Sequence, residues 1–407
     1  MKKKIFKRAS AVVTAALMTA AITATSALTA GAVAIGENGV VASNETTLTI
    51  PKGISLINAV AGQYYSPAVT YTYTIAPQTV SNVTITDTDD HSVLVEEGPA
   101  GGAALGNSGN VAFTSALSAF TDGNGTEKTE NLTVTVDMTK FTKPGIFRYV
   151  ITDTTADSVL YNAGIVRTAD YDTTRFLDVY IQNDTTGFKV TGYTLRANND
   201  AGDKNQGFVT ASETAALTDK YKTYNIELKK TVAGDMGDKN HEFPFVVALT
   251  NNNLNYKWGK DAAALTDSST TALTAVNLKH NDTLYIRGLS PKATVGYTET
   301  NDTQDTYKVK IDGTNGAALE AETSVAKDGT KALTAGAVTD YNTNNNVQTT
   351  PAAETDYSEV TFTNTLEVVS PTGLILRFAP FIAMAVFGVV FLVIAHRKRS
   401  KDNTDVI

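Results

Sequence analysis

Apolar and polar residues alternate at every second position through most of this chain. The alternation is plain at Leu48 and Ile50, at Val69, Tyr71, Tyr73 and Ile75, and at Leu132, Val134 and Val136. It returns at Phe147, Tyr149 and Ile151, and, with one step of three in each run, at Phe176, Val179 and Ile181 and at Phe188, Val190 and Tyr193. The later part repeats it at Ile226 and Leu228; Phe243, Phe245 and Val247; Leu284 and Ile286; Val295 and Tyr297; Tyr307, Val309 and Ile311; and Val360 and Phe362. A period of two marks a strand with one buried face. Thr, Val and Tyr, which dominate these runs, suit such a half-buried pleated surface. Clusters of Asn, Asp, Gly and Thr between the runs form turns. No stretch between 40 and 367 holds a helical period of any length. The expected fold is all-β, two tandem Ig-like β-sandwich domains. The Gly-, Ala- and Asn-rich segment from Glu97 to Gly125 is expected to be a long loop, and 312–356 a polar loop with one hairpin.

The ends follow other rules. A basic start (Lys2, Lys3, Lys4, Lys7, Arg8) leads into an uncharged run rich in Ala, Thr, Val and Leu, closing on Ala32-Val33-Ala34. This pattern predicts a signal peptide over 1–34, cut after Ala34. Near the other end, Phe378 to Ala395 carries no charge, and Leu374 to Leu376 extend it across Arg377, which can snorkel to the interface. A transmembrane helix is expected over 374–395, and the tail 396–407, opening His396-Arg397-Lys398-Arg399, is a positive-inside stop signal.

An internal repeat divides the exterior into units expected at 44–222 and 223–367. Each opens on a strand ending in lysine, Leu48-x-Ile50-x-Lys52 and Ile226-x-Leu228-x-Lys230. Each later has an aromatic residue followed by an acid, Tyr149-x-x-x-Asp153 and Tyr297-x-Glu299, and each closes near Asp219 or Asn364.

Strand parity turns this repeat into chemistry. Lys230 shares a face with Ile226 and Leu228, Glu299 with Val295 and Tyr297, and Asn364 with Val360 and Phe362. If the apolar members face the core, so do the three polar ones. A buried ammonium tends to lose its proton and a buried carboxyl to keep one. A neutral amine facing a carboxamide, with a protonated acid between them, sets a nucleophile, an electrophile and an acid–base together. The expected product is a Lys–Asn amide with loss of ammonia, formed once and needing no cofactor.

Composition narrows the remainder. The chain of 407 residues has no cysteine, which excludes disulfides, thiolate zinc sites and cysteine nucleophiles. Its four histidines are scattered, so no metal site is expected. Without the signal and the tail the exterior keeps 24 basic and 40 acidic residues, net −16. Such a surface repels nucleic acid, and no constellation for an enzyme acting on external substrate is present.

The run from Lys230 to Phe243, the Gly296-Tyr297-Thr298-Glu299 strand and the Phe362-Thr363-Asn364 strand resemble the Gram-positive pilin isopeptide-linkage domain, known from streptococcal major pilins of the T-antigen type. The resemblance implies Lys230 as nucleophile, Asn364 as acceptor and Glu299 as catalytic acid of an autocatalytic isopeptide bond. The first unit departs from the pattern. Lys52 matches, although Pro51 before it suits an edge or opening strand; Asp153 holds the acid position and Asp219 the acceptor position, so a bond there would be a Lys–Asp amide, and whether it forms stays open. Val369-Ser370-Pro371-Thr372-Gly373 resembles a sortase motif, which implies cleavage between Thr372 and Gly373 and transfer to peptidoglycan or to a neighbouring pilin subunit. Lys204, Lys220 and Lys222 are candidates by position for an accepting amine. The resemblance implies a cell-wall or cell-surface pilin or stalk subunit whose partner is a sortase transpeptidase. A monomeric surface adhesin with a host receptor is the alternative.

Overall fold

A computed structural model describes residues 31–87, 89–122, 126–167, 171–209, 219–250, 252, 254–268, 272–313, 316, 318–333, 358–368 and 371–402. Most of residues 1–34, the segment 334–357 and positions 369, 370 and 403–407 therefore lie outside the described residues. Among the described residues ahead of the C-terminal helix, alternation at a period of two becomes sheet, with one short α-helix, Asp157–Asn162, between strands. Val69–Pro77 buries Val69, Tyr71 and Tyr73 and exposes the threonines between them. Phe243–Thr250 buries Phe243, Phe245 and Val247 in the same way.

Two sandwiches result, each with its own apolar core. In the first, one sheet runs Gly62–Tyr65, Leu117–Asp122, Thr47–Asn58, Thr126–Val136, Ala103–Leu105, with Ala32–Ala34 and Lys220–Lys222 also pairing on Thr47–Asn58. The facing sheet runs Val40–Val41, Gly187–Arg196, Thr174–Asp184, Gly145–Asp153, Val69–Pro77, Asn110–Phe113, with the hairpin of Thr84–Thr86 and Ser92–Glu97 against Gly145–Asp153. In the second, a seven-stranded sheet runs Thr266–Ser268, Tyr256–Gly259, Thr283–Leu289, Tyr224–Ala233, Ser358–Thr365, Tyr307–Gly313, Ala318–Val325. It faces Leu273–Leu278, Phe243–Thr250, Thr294–Thr300, Thr330–Leu333.

Four details differ from expectation. Ala32–Ala34 pairs with Thr47–Thr49 and Ile35 is buried, so the first unit includes residues ahead of 44, and a cut after Ala34 would remove a paired strand. The segment expected as a long loop holds the strands Ala103–Leu105, Asn110–Phe113 and Leu117–Asp122, because Ala103, Val111, Phe113 and Phe120 each reach the core. Ala318–Val325 and Thr330–Leu333 do not form a hairpin: the first pairs with Tyr307–Gly313 and the second with Thr294–Thr300 in the opposite sheet. Thr47–Asn58 is interior, not an edge. Pro51 is tolerated because its missing N–H falls in a gap, between the bond from Ile35 N to Thr49 O and the bridge made by Phe208.

The units meet end to end. Asn58 Nδ2 donates to Asn225 Oδ1 at 3.0 Å, Asn225 Nδ2 donates back to Asn58 Oδ1 at 2.8 Å, and both residues are buried. Gly288, at φ +77°, packs so closely on Tyr64 that a Cβ there would lie 2.7 Å from Cδ1 of the ring. Beyond the second unit, Pro371–Asp402 is one helix, and Pro380–Arg397 within it has mean hydropathy 2.0, long and apolar enough to cross a membrane.

Candidate functional site: two inward-facing lysine clusters

In the second unit the first and last strands lie side by side in parallel, with Lys230 opposite Phe362 and Val232 opposite Asn364. The alternation that buries Ile226 and Leu228 continues through Lys230 to Val232, and the one that buries Val360 and Phe362 continues to Asn364. Glu299 comes from the facing sheet, beside Phe245 on the neighbouring strand. The three side chains therefore meet across the sandwich. Lys230 Nζ donates to Glu299 Oε2 at 2.9 Å, and Asn364 Nδ2 donates to Glu299 Oε1 at 2.5 Å. Lys230 and Glu299 are each 1% exposed and Asn364 0%. Phe243 lies under the amine, with Nζ 4.2 Å from the ring centroid, and Phe245 meets Phe362 edge to face at 5.2 Å.

Dry surroundings set the proton positions. Burial pushes Lys230 down to about 8, against the opposing pull of the Glu299 charge. Burial likewise pushes Glu299 above the usual carboxylate range, against Lys230 and its hydrogen bonds. Both shifts favour the uncharged pair. The Asn364 carbonyl oxygen is buried with no hydrogen-bond partner among the described residues.

The first unit repeats the placement with different chemistry. Lys52, between Ile50 and Ile54, points into the core, and Asp219 stands at the entry to Lys220–Lys222, which runs parallel to Thr47–Asn58. Asp153 closes a strand of the facing sheet. Lys52 Nζ donates to Asp219 Oδ2 at 2.7 Å and to the Tyr171 hydroxyl at 2.9 Å. The rings of Tyr71 and Tyr171 flank the amine, their centroids 4.4 and 4.8 Å away.

A fourth group, absent from the sequence reading, enters here. Val166 and Lys220 form a two-hydrogen-bond antiparallel bridge, which sets the next residue, Arg167, against Asp219. Arg167 Nε donates to Asp219 Oδ1 at 2.9 Å, and Nη2 donates to Asp219 Oδ2 at 3.1 Å and to Asp153 Oδ2 at 2.7 Å. The other Asp153 oxygen accepts from Thr155 N at 2.9 Å. Burial alone would push Asp219 up, but the charges of Lys52 and Arg167 and their hydrogen bonds outweigh it and hold the carboxyl below its usual range. Among the described contacts, Asp153 meets Arg167 rather than Lys52.

One signal pointed to Arg167. The exterior has only five arginines, Arg148, Arg167, Arg175, Arg196 and Arg287. Each has a side chain at most 10% exposed and pairs with a carboxylate. In a chain whose surface cations are mostly lysine, an arginine marks a buried ion pair.

The remaining candidates are scattered. Pro371, Thr372 and Gly373 open the C-terminal helix, while Val369 and Ser370 lie outside the described residues. Lys204 is exposed on the loop after Arg196, and Lys220 is half-buried. Asp87, Asp89 and His91 form an exposed group in which the Asp87 carboxylate accepts from Asp89 N and His91 N and pairs with the His91 imidazole.

A family described as "Domain of unknown function (DUF7601)" matches residues 224–366, from the first strand of the second unit to just past its last. No curated protein matches the sequence. The chain is similar to solved structures of major pilins. The T3.2 major pilin of Streptococcus pyogenes is 17% identical, with 80% of this chain and 99% of that one covered at a TM-score of 0.43. Another Streptococcus pyogenes major pilin is 18% identical, with 80% and 100% covered, also at 0.43. A pilus-presented adhesin is 12% identical, with 79% and 100% covered, at 0.25.

Proposed function

We propose that this chain is a cell-wall-anchored pilin or stalk subunit of a Gram-positive bacterium, held closed by an autocatalytic Lys230–Asn364 isopeptide bond. The observation that carries the reading is the Glu299 carboxyl, hydrogen-bonded to the Lys230 amine and the Asn364 amide at once inside a dry core. In the proposed reaction the uncharged Lys230 Nζ attacks Asn364 Cγ. If the carboxamide turns over about its terminal bond, Oδ1 meets a protonated Glu299. That proton satisfies the orphaned oxygen and polarises the carbonyl. Glu299 then passes a proton from the attacking amine to the departing nitrogen. An amine and a primary amide become a secondary amide and ammonia, with no oxidant or cofactor.

Attachment rests on the order of segments: a Pro371-Thr372-Gly373 motif, an apolar helix and a basic tail. A sortase would cleave after Thr372 and join it to a wall or subunit amine. The intact mass of the secreted exterior tests the first step: a deficit of about 17 Da, one ammonia, is expected. A mass equal to that calculated from the sequence overturns it. Thr372→Ala should send the protein to the medium or leave it in the membrane fraction. Covalent ladders in denatured wall extracts favour a polymerised subunit, and a single band favours the monomeric adhesin.

A further inference from the structure

We infer that Arg167 blocks amide formation in the first unit, holding Lys52 and Asp219 as a buried ion pair and leaving that sandwich without a covalent tie. The inference rests on the reading that such a bond closes the second unit, and its test below is separable from that one.

The two clusters are built on one plan. In each, a lysine comes from the opening strand, the acceptor position lies on or beside the strand paired with it, and an acid enters from the facing sheet. Amide formation needs an uncharged amine, a carbonyl that is not a carboxylate, and an acid able to donate. The second unit has one basic group and one acid, which neutralise each other by moving a single proton. The first has two basic groups and two acids, and one of the basic groups cannot give up its proton. Arg167 therefore requires a carboxylate beside it.

Geometry decides which one. The guanidinium grips Asp219 through Nε and Nη2, the two-pronged arrangement that suits an ionised carboxylate. Asp219 is thus the group that stays charged, and a carboxylate resists attack at its carbon. Its charge in turn engages Lys52 Nζ in an ion pair at 2.7 Å, so the amine is held as a partner of the carboxylate and not as a nucleophile. Asp153, in the acid's position, accepts from Arg167 through one oxygen and from Thr155 N through the other. It is also a methylene shorter than glutamate and is occupied by the arginine instead of spanning lysine and acceptor. One residue thus disables nucleophile, electrophile and acid together.

Removing the guanidinium should release all three. The two acids would then hold a single compensating cation, so one of them must take up a proton. The step then open is Lys52 Nζ attacking Asp219 Cγ, the amine and carboxylic acid giving an amide and water.

The experiment is a peptide map of the denatured exterior from the wild type and from Arg167→Met, Arg167→Gln and Arg167→Met with Asp153→Glu. In the wild type, trypsin should cut after Lys52, which it cannot do once that amine is an amide. In the variants a further loss of about 18 Da, one water, is expected in a peptide joining Lys52 to Asp219. The added methylene of Asp153→Glu should raise the joined fraction. Wild-type protein already joined at Lys52 overturns the proposal, whatever variants fold. Folded Arg167 variants that stay unjoined in all three backgrounds also overturn it. Each variant is read against the wild type at this site alone, so the state of Lys230 and Asn364 does not enter. A missing ammonia deficit in the second unit would sink only the proposed function.

Discussion

Glu299→Gln separates the covalent tie from the contacts around it. Glutamine keeps the length of the side chain and can still bond Lys230 and Asn364, but it cannot shuttle a proton. The open protein should keep its mass and lose the tie. An amide from 230 to 364 closes a loop of roughly 130 residues, and by analogy with disulfide loops its entropic contribution is about 5 kcal/mol. A unit spanning 224–366 shifts its melting temperature by about 3 °C per kcal/mol, so the variant should melt about 15 °C lower. The hydrogen bonds exchanged at the site account for only about 1 kcal/mol of this. Intact mass and calorimetry on one preparation give both readings. Asn364→Ala, which removes the electrophile instead, should land within a few degrees of the same melting temperature. A Glu299→Gln protein that still lacks one ammonia shows that Glu299 is not the acid. One that regains the full mass yet melts within about 5 °C of the wild type shows that the bond does not hold the unit.

In the open Asn364→Ala protein Lys230 keeps its lowered value of about 8, below an unfolded value of about 10.4. The folded unit then binds fewer protons than the unfolded one between those values. Its stability should rise from pH 8 towards 10.4, by about 3 kcal/mol in all, in denaturant titrations; a flat profile refutes the buried-amine assignment. Asp219 is held below its usual range, so the first unit's tie is fully present above about pH 4 and lost as pH falls through the depressed value. The first unit should melt at a progressively lower temperature as pH falls below about 4, and an unchanged melt counts against the ion pair. Asp219→Ala strands Lys52 and Arg167 in the core with Asp153 alone, which should lower stability by about 3–5 kcal/mol. Under single-molecule tension along the chain, the first unit should extend by on the order of 60 nm while the second stays shut. Extension of both units removes the amide, and extension of neither removes the block by Arg167.

Periodicity made much of this architecture legible, because a sheet with one dry face forces every second residue to be apolar. The same rule pointed Lys230, Glu299 and Asn364 inward, and in the structure all three are buried, as is Lys52 at the matching place in the first unit. Where the rule is short of residues it fails. Ala103–Leu105, Asn110–Phe113 and Leu117–Asp122 are three to six residues each, with alanine or one aromatic as the apolar signal, and they read as loop. Val190 and Tyr193 are three apart yet both buried, because the pairing with Thr174–Asp184 shifts between Tyr180 and Ile181; such a bulge leaves no compositional mark. Arg167 was hidden for a different reason. It belongs to no strand, and its place beside Asp219 depends on the single bridge of Val166 to Lys220, more than fifty residues apart in sequence. A contact made by tertiary register cannot be read from local pattern.

The comparison of the two clusters suggests how little separates a covalent fastening from an ionic one. Both bury a lysine in an aromatic pocket: Lys230 bonds Glu299, which also holds Asn364, while Lys52 bonds Asp219 directly. The deciding quantity is the number of protons the buried groups can exchange. One basic group and one acid can both become uncharged at no cost in net charge, which is the state the chemistry needs. Adding a guanidinium fixes one positive charge in the core, and the least costly answer is a carboxylate held against it. That carboxylate stands where the proposed chemistry would need its acceptor. On this reasoning the first unit resists unfolding only as strongly as salt bridges allow and reforms after stretching. The second, with the proposed tie near both ends of the unit, would pass tension from 230 to 364 without loading the strands between. A chain built this way would yield in one half and hold in the other.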